Sequence, residues 1–356
     1  MGAGRYLDLL ERPSPSTVRQ TRECTNKGIL LTHCRDISKS LLTYLVFDGL
    51  DTFATIRFCG QPVGSTANQF RQYTFDITSA VQNCNSSASF DIEFEPATAA
   101  AVSAAQNESC PLCIGINYEF PDVQYIRKQQ CDFGWDWAPA LSPAGIWKSL
   151  RVVQVNKNEI HVQNSLVDIY RLGQLNNLPP DQTQPWVINV SVDYIGQLPS
   201  GASIQVQISG MDNSIVSKQG LSNLRVNGNN TGGRITGEMS VTEQVDLWWP
   251  AGYGNQTLYN VDIQIKDAQN STITSVNKRT GFRTVVLDQT PILDTEVALG
   301  VAPGNKWNFE INGHEIYCKG SNFLPPDAFW PLVTRERMQM LFQSAVDSVS
   351  IRVLFL

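Results

Sequence analysis

Residues 125–152 read YIRKQQCDFGWDWAPALSPAGIWKSLRV. Three tryptophans (Trp135, Trp137 and Trp147) share this stretch with a lone acid, Asp136, a basic lead-in, Arg127 and Lys128, and the breakers Pro139, Pro143 and Gly145. Two physical readings fit the central WDW. On extended backbone, residues two apart point to one face, so Trp135 and Trp137 could simply bury area in a sandwich core. Alternatively the indoles bracket a sugar site: the apolar C–H face of a pyranose stacks on a ring while Asp136 accepts hydrogen bonds from hydroxyls. The WDW triplet by itself leaves both open.

Outward from this stretch the chain is mostly strand. In TFATIRFCG, Ala54, Ile56 and Phe58 alternate with Thr55 and Arg57, and in SFDIEFEP, Phe90, Ile92 and Phe94 alternate with Asp91, Glu93 and Glu95. Period-two alternation belongs to antiparallel sheets with one wet face, for which a jelly-roll sandwich is the natural container. PATAAAVSAAQNES predicts a short Ala-rich helix, and the Pro/Gly-bearing segment after it reads as a loop. From about residue 156, WVINVSVDYIG, SIQVQISG, RITGEMSV and LYNVDIQIKD are short alternating strands divided by PSG, NGNN and AGYGN turns, the pattern of an immunoglobulin-like sandwich. Trp248 and Trp249 in that unit are read as packing residues rather than a second sugar platform. After about residue 288, TRERMQMLFQSAVD places Met338, Leu341, Phe342 and Ala345 at i, i+3, i+4 and i+7, which predicts an amphipathic helix with Thr334 as its N-cap. VSIRVLFL follows as a buried strand, and helix then buried strand is how an α/β barrel begins.

Composition excludes several partners. A net charge of −6 and no basic cluster argue against nucleic acid. No apolar run approaches the ~18 residues that span a bilayer. Eight cysteines are compatible with an oxidising compartment. Cys110 and Cys113 form a CxxC without a complementary second pair, so a loop disulfide or free thiols is the favoured reading over a metal site. Six N-x-S/T sequons stand at Asn85, Asn107, Asn189, Asn229, Asn255 and Asn270. In WVINVSVDY the phase sets Val187, Asn189 and Ser191 opposite Trp186, Ile188, Val190 and Val192, so Asn189 is expected to face outward. The three histidines, His33, His161 and His314, lie in no nucleophile-elbow context and are expected to be surface or satisfied side chains.

Collinear motifs then narrow the family. FGWDWAPALSPAGIW with YIRKQQ before it, LVFDGLDTFATIRFCG (45–60), NQFRQYTFDIT (68–78), LWWPAGYGNQTLYNV (247–261), KRTGFRTVVL (278–287) and EINGHEIYCKGSNFLPPDAFW (310–330) together resemble β-mannosidases of glycoside hydrolase family 2, in particular their secreted fungal branch. The resemblance implies a mainly β fold: a jelly-roll (galactose-binding-like) sandwich over 41–155, an immunoglobulin-like sandwich over 156–288 and the first elements of an α/β (TIM) barrel over 289–356. Residues 1–40 match nothing in this reading and are expected to be a mispredicted or truncated start, with no signal peptide visible. It further implies an exo-β-mannosidase that removes terminal non-reducing β-D-mannose with retention and without metal or organic cofactor. Its partner is a β-mannoside or manno-oligosaccharide, its compartment is extracellular, and homodimerisation is left open.

By the same resemblance Trp135, Asp136 and Trp137 bind the terminal mannose, and Arg352 lies near the nucleophile. The family usually carries Gly where Ala138 stands, and a need for positive φ there would strain the loop. Retention needs two carboxyl groups ~5 Å apart. In the family both are glutamates on later barrel strands, the donor preceded by Asn, and none of Glu310, Glu315, Asp327 or Glu336 stands in that motif. The expectation is that this chain supplies sugar binding and no turnover. The alternative from another class is a non-catalytic carbohydrate-binding or scaffold protein.

Overall fold

The structure is a computed structural model and describes residues 21–23, 37–84, 89–106, 119–136, 138–156, 159–175, 178–229, 231–318, 323, 325–329 and 332–348. They fall into two compact units, one holding residues 21–156 with 325–338, the other 159–323 with 339–348. Both are built mainly of antiparallel strands.

In the first unit the strands are β1 (Thr21–Glu23), β2 (Leu42–Phe47), β3 (Leu50–Asp51), β4 (Phe53–Phe58), β5 (Gln61–Ala67), β6 (Tyr73–Asp76), β7 (Phe90–Glu95), β8 (Phe133–Trp135), β9 (Ala138–Ala140), β10 (Gly145–Ile146) and β11 (Leu150–Val155). One sheet runs β1-β11-β2-β6 and another β5-β4-β7. Strand β1 belongs to the stretch expected to match nothing, yet it pairs with β11. The alternation in β4 is as read: Ala54, Ile56 and Phe58 are buried and Thr55 and Arg57 exposed. Those side chains, with Leu45, Phe47, Leu50, Ile77, Phe90 and Val152, make the core. Cys59 and Cys84 form a disulfide at its edge. The Ala-rich helix is present as α2 (Ala97–Ala105), after the short α1 (Thr78–Asn83), and packs Ala97 and Ala101 against Val123, Ile126 and Phe133.

The second unit is an immunoglobulin-like sandwich. Its strands β12 (Ile160–Arg171), β13 (Trp186–Gly196), β14 (Ser203–Gly210), β15 (Ile215–Gly220), β16 (Ser222–Asn229), β17 (Gly232–Val241), β18 (Tyr259–Lys266) and β19 (Thr272–Thr280) form the sheets β12-β13-β17-β16 and β15-β14-β18-β19. Alternate residues of the central strands, among them Ile188, Val190, Val192, Ile204, Val206, Ile208, Val261 and Ile263, enter one apolar cluster. Phe282 closes it, with ring centroids 5.4 Å from Trp186 and 5.1 Å from Tyr259. The other face of β13 is not open as its phase suggested. Val187 is 4% exposed, and Tyr170 hydrogen-bonds with Asn189. Val187 is a buried member of that face, whereas Asn189, Ser191 and Asp193 stay partly exposed.

Beyond this sandwich, β20 (Val285–Asp288), β21 (Asn308–Ile311) and β22 (His314–Ile316) form a three-stranded sheet that runs across position 288. Asn312 and Gly313 turn the β21–β22 hairpin with φ of 53° and 79°, the left-handed pair that an Asn-Gly turn supplies. Asn312 Nδ2 donates to the carbonyl of Trp248 at 3.0 Å, and Arg283 stacks on the Trp248 ring, so that tryptophan is a packing residue. A short helix, α3 (Asp294–Ala298), precedes β21, and the predicted amphipathic helix is α4 (Arg335–Ser348). Thr334 Oγ1 accepts from the amide of Arg337 at 3.0 Å, the expected N-cap bond. The expected strand VSIRVLFL and its Arg352 lie outside the described residues. No helix among the described residues is long and apolar enough to cross a membrane.

Candidate sugar-binding hairpin

The WDW segment is the tip of a two-stranded ribbon. Phe133 pairs with Ala140 and Trp135 with Ala138, and Asp136 follows at the end of β8. Gly134 has φ +99°, a conformation that costs a side chain but not glycine, and it lets the ribbon turn immediately before Trp135. Phe133 is buried, whereas Trp135 is 48% exposed and Asp136 is exposed. Core burial of Trp135, one of the two readings of WxW, is thereby excluded: the left-handed Gly134 breaks the alternation, so that Phe133 packs inward, meeting Phe120 at 6.1 Å, while Trp135 two residues on is exposed. Trp137 lies outside the described residues. Ala138 begins the extended strand β9 and faces Trp135.

Trp147, the third tryptophan of the stretch, is structural. Its Nε1 donates to the Gln69 carbonyl at 3.1 Å and Lys148 lies over its ring at 4.3 Å.

A cavity of about 310 Å³ opens beside the ribbon, within the same unit. Trp135, Cys131, Asp132, Leu141, Pro325 and Asp327 are among the residues that line it. A wall with one exposed indole, apolar edges and the Asp327 carboxyl has the chemistry of a sugar pocket: a face to stack on and an acceptor for hydroxyls. Asp327 Oδ1 accepts from the amide of Phe329 at 2.8 Å, which holds its carboxyl in a tight turn. The thiol of Cys131 accepts from Gln129 Nε2 at 2.8 Å.

Beneath the ribbon lies a feature the sequence reading missed. Lys128, taken as part of a basic lead-in, has a side chain 0% exposed. Its Nζ donates to both oxygens of Asp51 at 2.6 Å, to the carbonyl of Pro143 at 2.8 Å and lies 2.8 Å from Asp132 Oδ2. Burial raises the Asp132 carboxyl above the usual range, against the lowering effect of the Lys128 hydrogen bond and charge. Arg127, the other member of the lead-in, is exposed. The four-residue spacing of Lys128 and Asp132 was the one local signal for this cluster.

The remaining acids do not join the cavity. Glu310 faces Glu315 across the β21–β22 register, and burial, with Asp288 nearby, raises its carboxyl. Neither glutamate lines the pocket beside Trp135. Among the sequons, Asn85 and Asn107 lie outside the described residues. Asn189 is half-buried in mid-strand. The exposed Asn229 accepts from Thr231 at 2.9 Å in a turn, and Asn255 and Asn270 are exposed in turns. His314 packs against Trp249 at 5.4 Å. His33 and the CxxC cysteines lie outside the described residues.

Comparison with known proteins fits this geometry. Residues 31–148 match the glycosyl hydrolase 2 galactose-binding domain-like family, a match that begins ten residues before the expected boundary at 41, and residues 178–283 match glycosyl hydrolases family 2. Beta-mannosidase A of Aspergillus aculeatus is 49% identical over 311 residues, covering 85% of this chain and 33% of the relative. The crystal structure of beta-D-mannosidase from Dictyoglomus thermophilum superposes with a TM-score of 0.64 at 25% identity over 86% of this chain and 34% of that one. Parabacteroides merdae beta-glucuronidase, at 14% identity and a TM-score of 0.52 over 89% of this chain and 34% of its own, shares the fold. The chain thus spans about a third of the length of the relatives it matches. With two sandwiches in the matching order and both family matches laid along them, the chain is built over residues 31–148 and 178–283 from domains of glycosyl hydrolase family 2.

Proposed function

We propose that the protein acts on terminal β-linked mannose as an exo-β-mannosidase and that this chain supplies the hairpin that holds the sugar. One observation carries the reading: Trp135 and Asp136 are turned out of the core, with Trp135 beside a cavity of about 310 Å³. The 49% identity to a protein named beta-mannosidase A supports mannose over other hexoses. In this reading Trp135 stacks on the pyranose face, Asp136 accepts from its hydroxyls and Trp137 completes the subsite. Arg352 orients the nucleophile electrostatically. Hydrolysis with retention requires an acid and a nucleophile ~5 Å apart, and none of Glu310, Glu315, Asp327 or Glu336 stands in the family's Asn-Glu donor motif. The chain on its own is therefore expected to bind and not to turn over.

Secretion belongs to the same proposal, and the Cys59–Cys84 disulfide supports it, since such bonds persist in oxidising compartments. The test is calorimetric titration of the 356-residue chain with methyl β-D-mannoside, alongside an aryl β-mannoside assay. Binding that Asp136→Ala removes, without hydrolysis, is the expected result. Binding that Asp136→Ala leaves untouched would reject the hairpin as the sugar site, and hydrolysis would show that the acid and nucleophile are present in this chain.

A further inference from the structure

Two three-residue strands cannot hold a binding tip still, since even a longer isolated hairpin is marginal in water. The ribbon must be fixed from outside, and the contacts converge on one atom. Lys128 Nζ reaches Asp51 at the end of β3, Asp132 at the foot of β8 and the Pro143 carbonyl where the chain leaves β9. Asp51 is 77 residues away in sequence, so this ammonium joins the two ends of the ribbon to a distant strand of the sandwich. The base is closed further by the amides of Leu141 and Ser142, which donate to the Asp132 carbonyl at 3.0 and 2.8 Å. The backbone around Lys128 is pinned in turn. Gln69 donates from its amide to Arg127 and accepts the Gln129 amide on Oε1 at 2.7 Å.

Stability alone does not account for such a cluster, because a buried ionic group is often no better than an apolar set of the same volume. What an ammonium with three acceptors supplies, and hydrocarbon does not, is a junction with a defined direction to each partner. We propose that Lys128 is a positioning residue: held by Asp51 and Asp132, it sets the angle at which Trp135 and Asp136 meet a sugar without touching the sugar itself. The consequence for affinity rests on the sugar-binding reading above, whereas the tether does not.

The tether is tested first in the wild-type chain by hydrogen exchange. The Leu141 and Ser142 amides should exchange as slowly as those of β2 and β11, and loop-like exchange would overturn the proposal. Next, Lys128→Met with Asp51→Asn and Asp132→Asn removes all three charges together and leaves no unpaired ion. With 5-fluorotryptophan incorporated and Trp135 assigned through Trp135→Phe, its fluorine resonance should shift and broaden in this variant, and Kd for methyl β-D-mannoside should rise about tenfold as the tip loses its preset geometry. An unchanged resonance, or an unchanged Kd on a shifted resonance, would overturn the positioning role. Should the wild-type chain bind no mannoside, the sugar reading fails, and exchange and fluorine still decide the tether.

Discussion

In the immunoglobulin-like unit Trp186, Tyr259 and Phe282 meet ring to ring over aliphatic side chains, while at the rim of the first sandwich a lysine between two aspartates lies just as deep. Both units are antiparallel sandwiches read from the same alternation. The first kind of core needs only volume and patterning, and hydrophobic contacts are non-directional. The second kind demands that each polar group find its partner at a set distance, which costs desolvation but fixes direction. Directional burial sits under the exposed Trp135 and Asp136, and non-directional burial fills the unit to which no sugar contact is assigned.

The largest expected effects break each core in its own way. Lys128→Met alone strands two buried carboxylates and should cost ~3–5 kcal/mol in urea unfolding. Phe282→Ala should cost a similar ~3–5 kcal/mol by opening a cavity. The contrast lies in rescue: adding Asp51→Asn and Asp132→Asn should restore most of the stability lost in Lys128→Met, whereas no polar change should rescue Phe282→Ala. Failure of that rescue would mean the rim cluster is ordinary packing.

Next in size is the disulfide. Replacing Cys59 and Cys84 by Ser releases a loop with a sequence separation of 25, worth about 3 kcal/mol in the chain-entropy account. The loss should appear in thermal unfolding of the first sandwich and leave the β13–β18 core unaffected, which hydrogen exchange can read separately.

The smallest effects concern pH and have opposite signs in the two units. Asp132, raised by burial, takes up a proton more readily folded than unfolded, so its contribution is most favourable below its unfolded pKa of about 3.8 and is lost as pH rises through the higher folded value. Asp181 is held at about 2 by hydrogen bonds from the Thr183 hydroxyl, the Gln184 side chain and the Thr183 amide. Its contribution is present above pH 3.8 and disappears as pH falls towards 2. Unfolding of Asp132→Asn and Asp181→Asn followed between pH 2 and 6 should flatten the profile on opposite sides of pH 3.8; matching changes would contradict the assignment.

Local patterns carried far in this chain. Alternation placed the central strands, the spacing of Met338, Leu341 and Ala345 with the Thr334 cap placed α4, and an alanine run placed α2. Each of these depends on residues within one element, where side-chain period and backbone geometry are coupled directly. The WDW motif was legible as unusual but not as exposed, because exposure of Trp135 follows from the left-handed Gly134, which breaks the alternation after the buried Phe133. Asn189 shows the opposite failure: its outward phase was right, but a phase cannot reveal that Tyr170 on β12 crosses to it.

What the sequence determined by itself was the two-sandwich order, the positions of α2 and α4, the family resemblance and the tryptophan-acid tip. Tertiary structure alone decided that Lys128 is a tether rather than a surface charge, that Cys59 pairs with Cys84 and that β20 joins β21. The physical reason is separation along the chain. A periodic pattern records which face of an element is buried, but a buried lysine is identified only by its partners, and Asp51 comes within 2.6 Å of Lys128 only after the strands between them have paired.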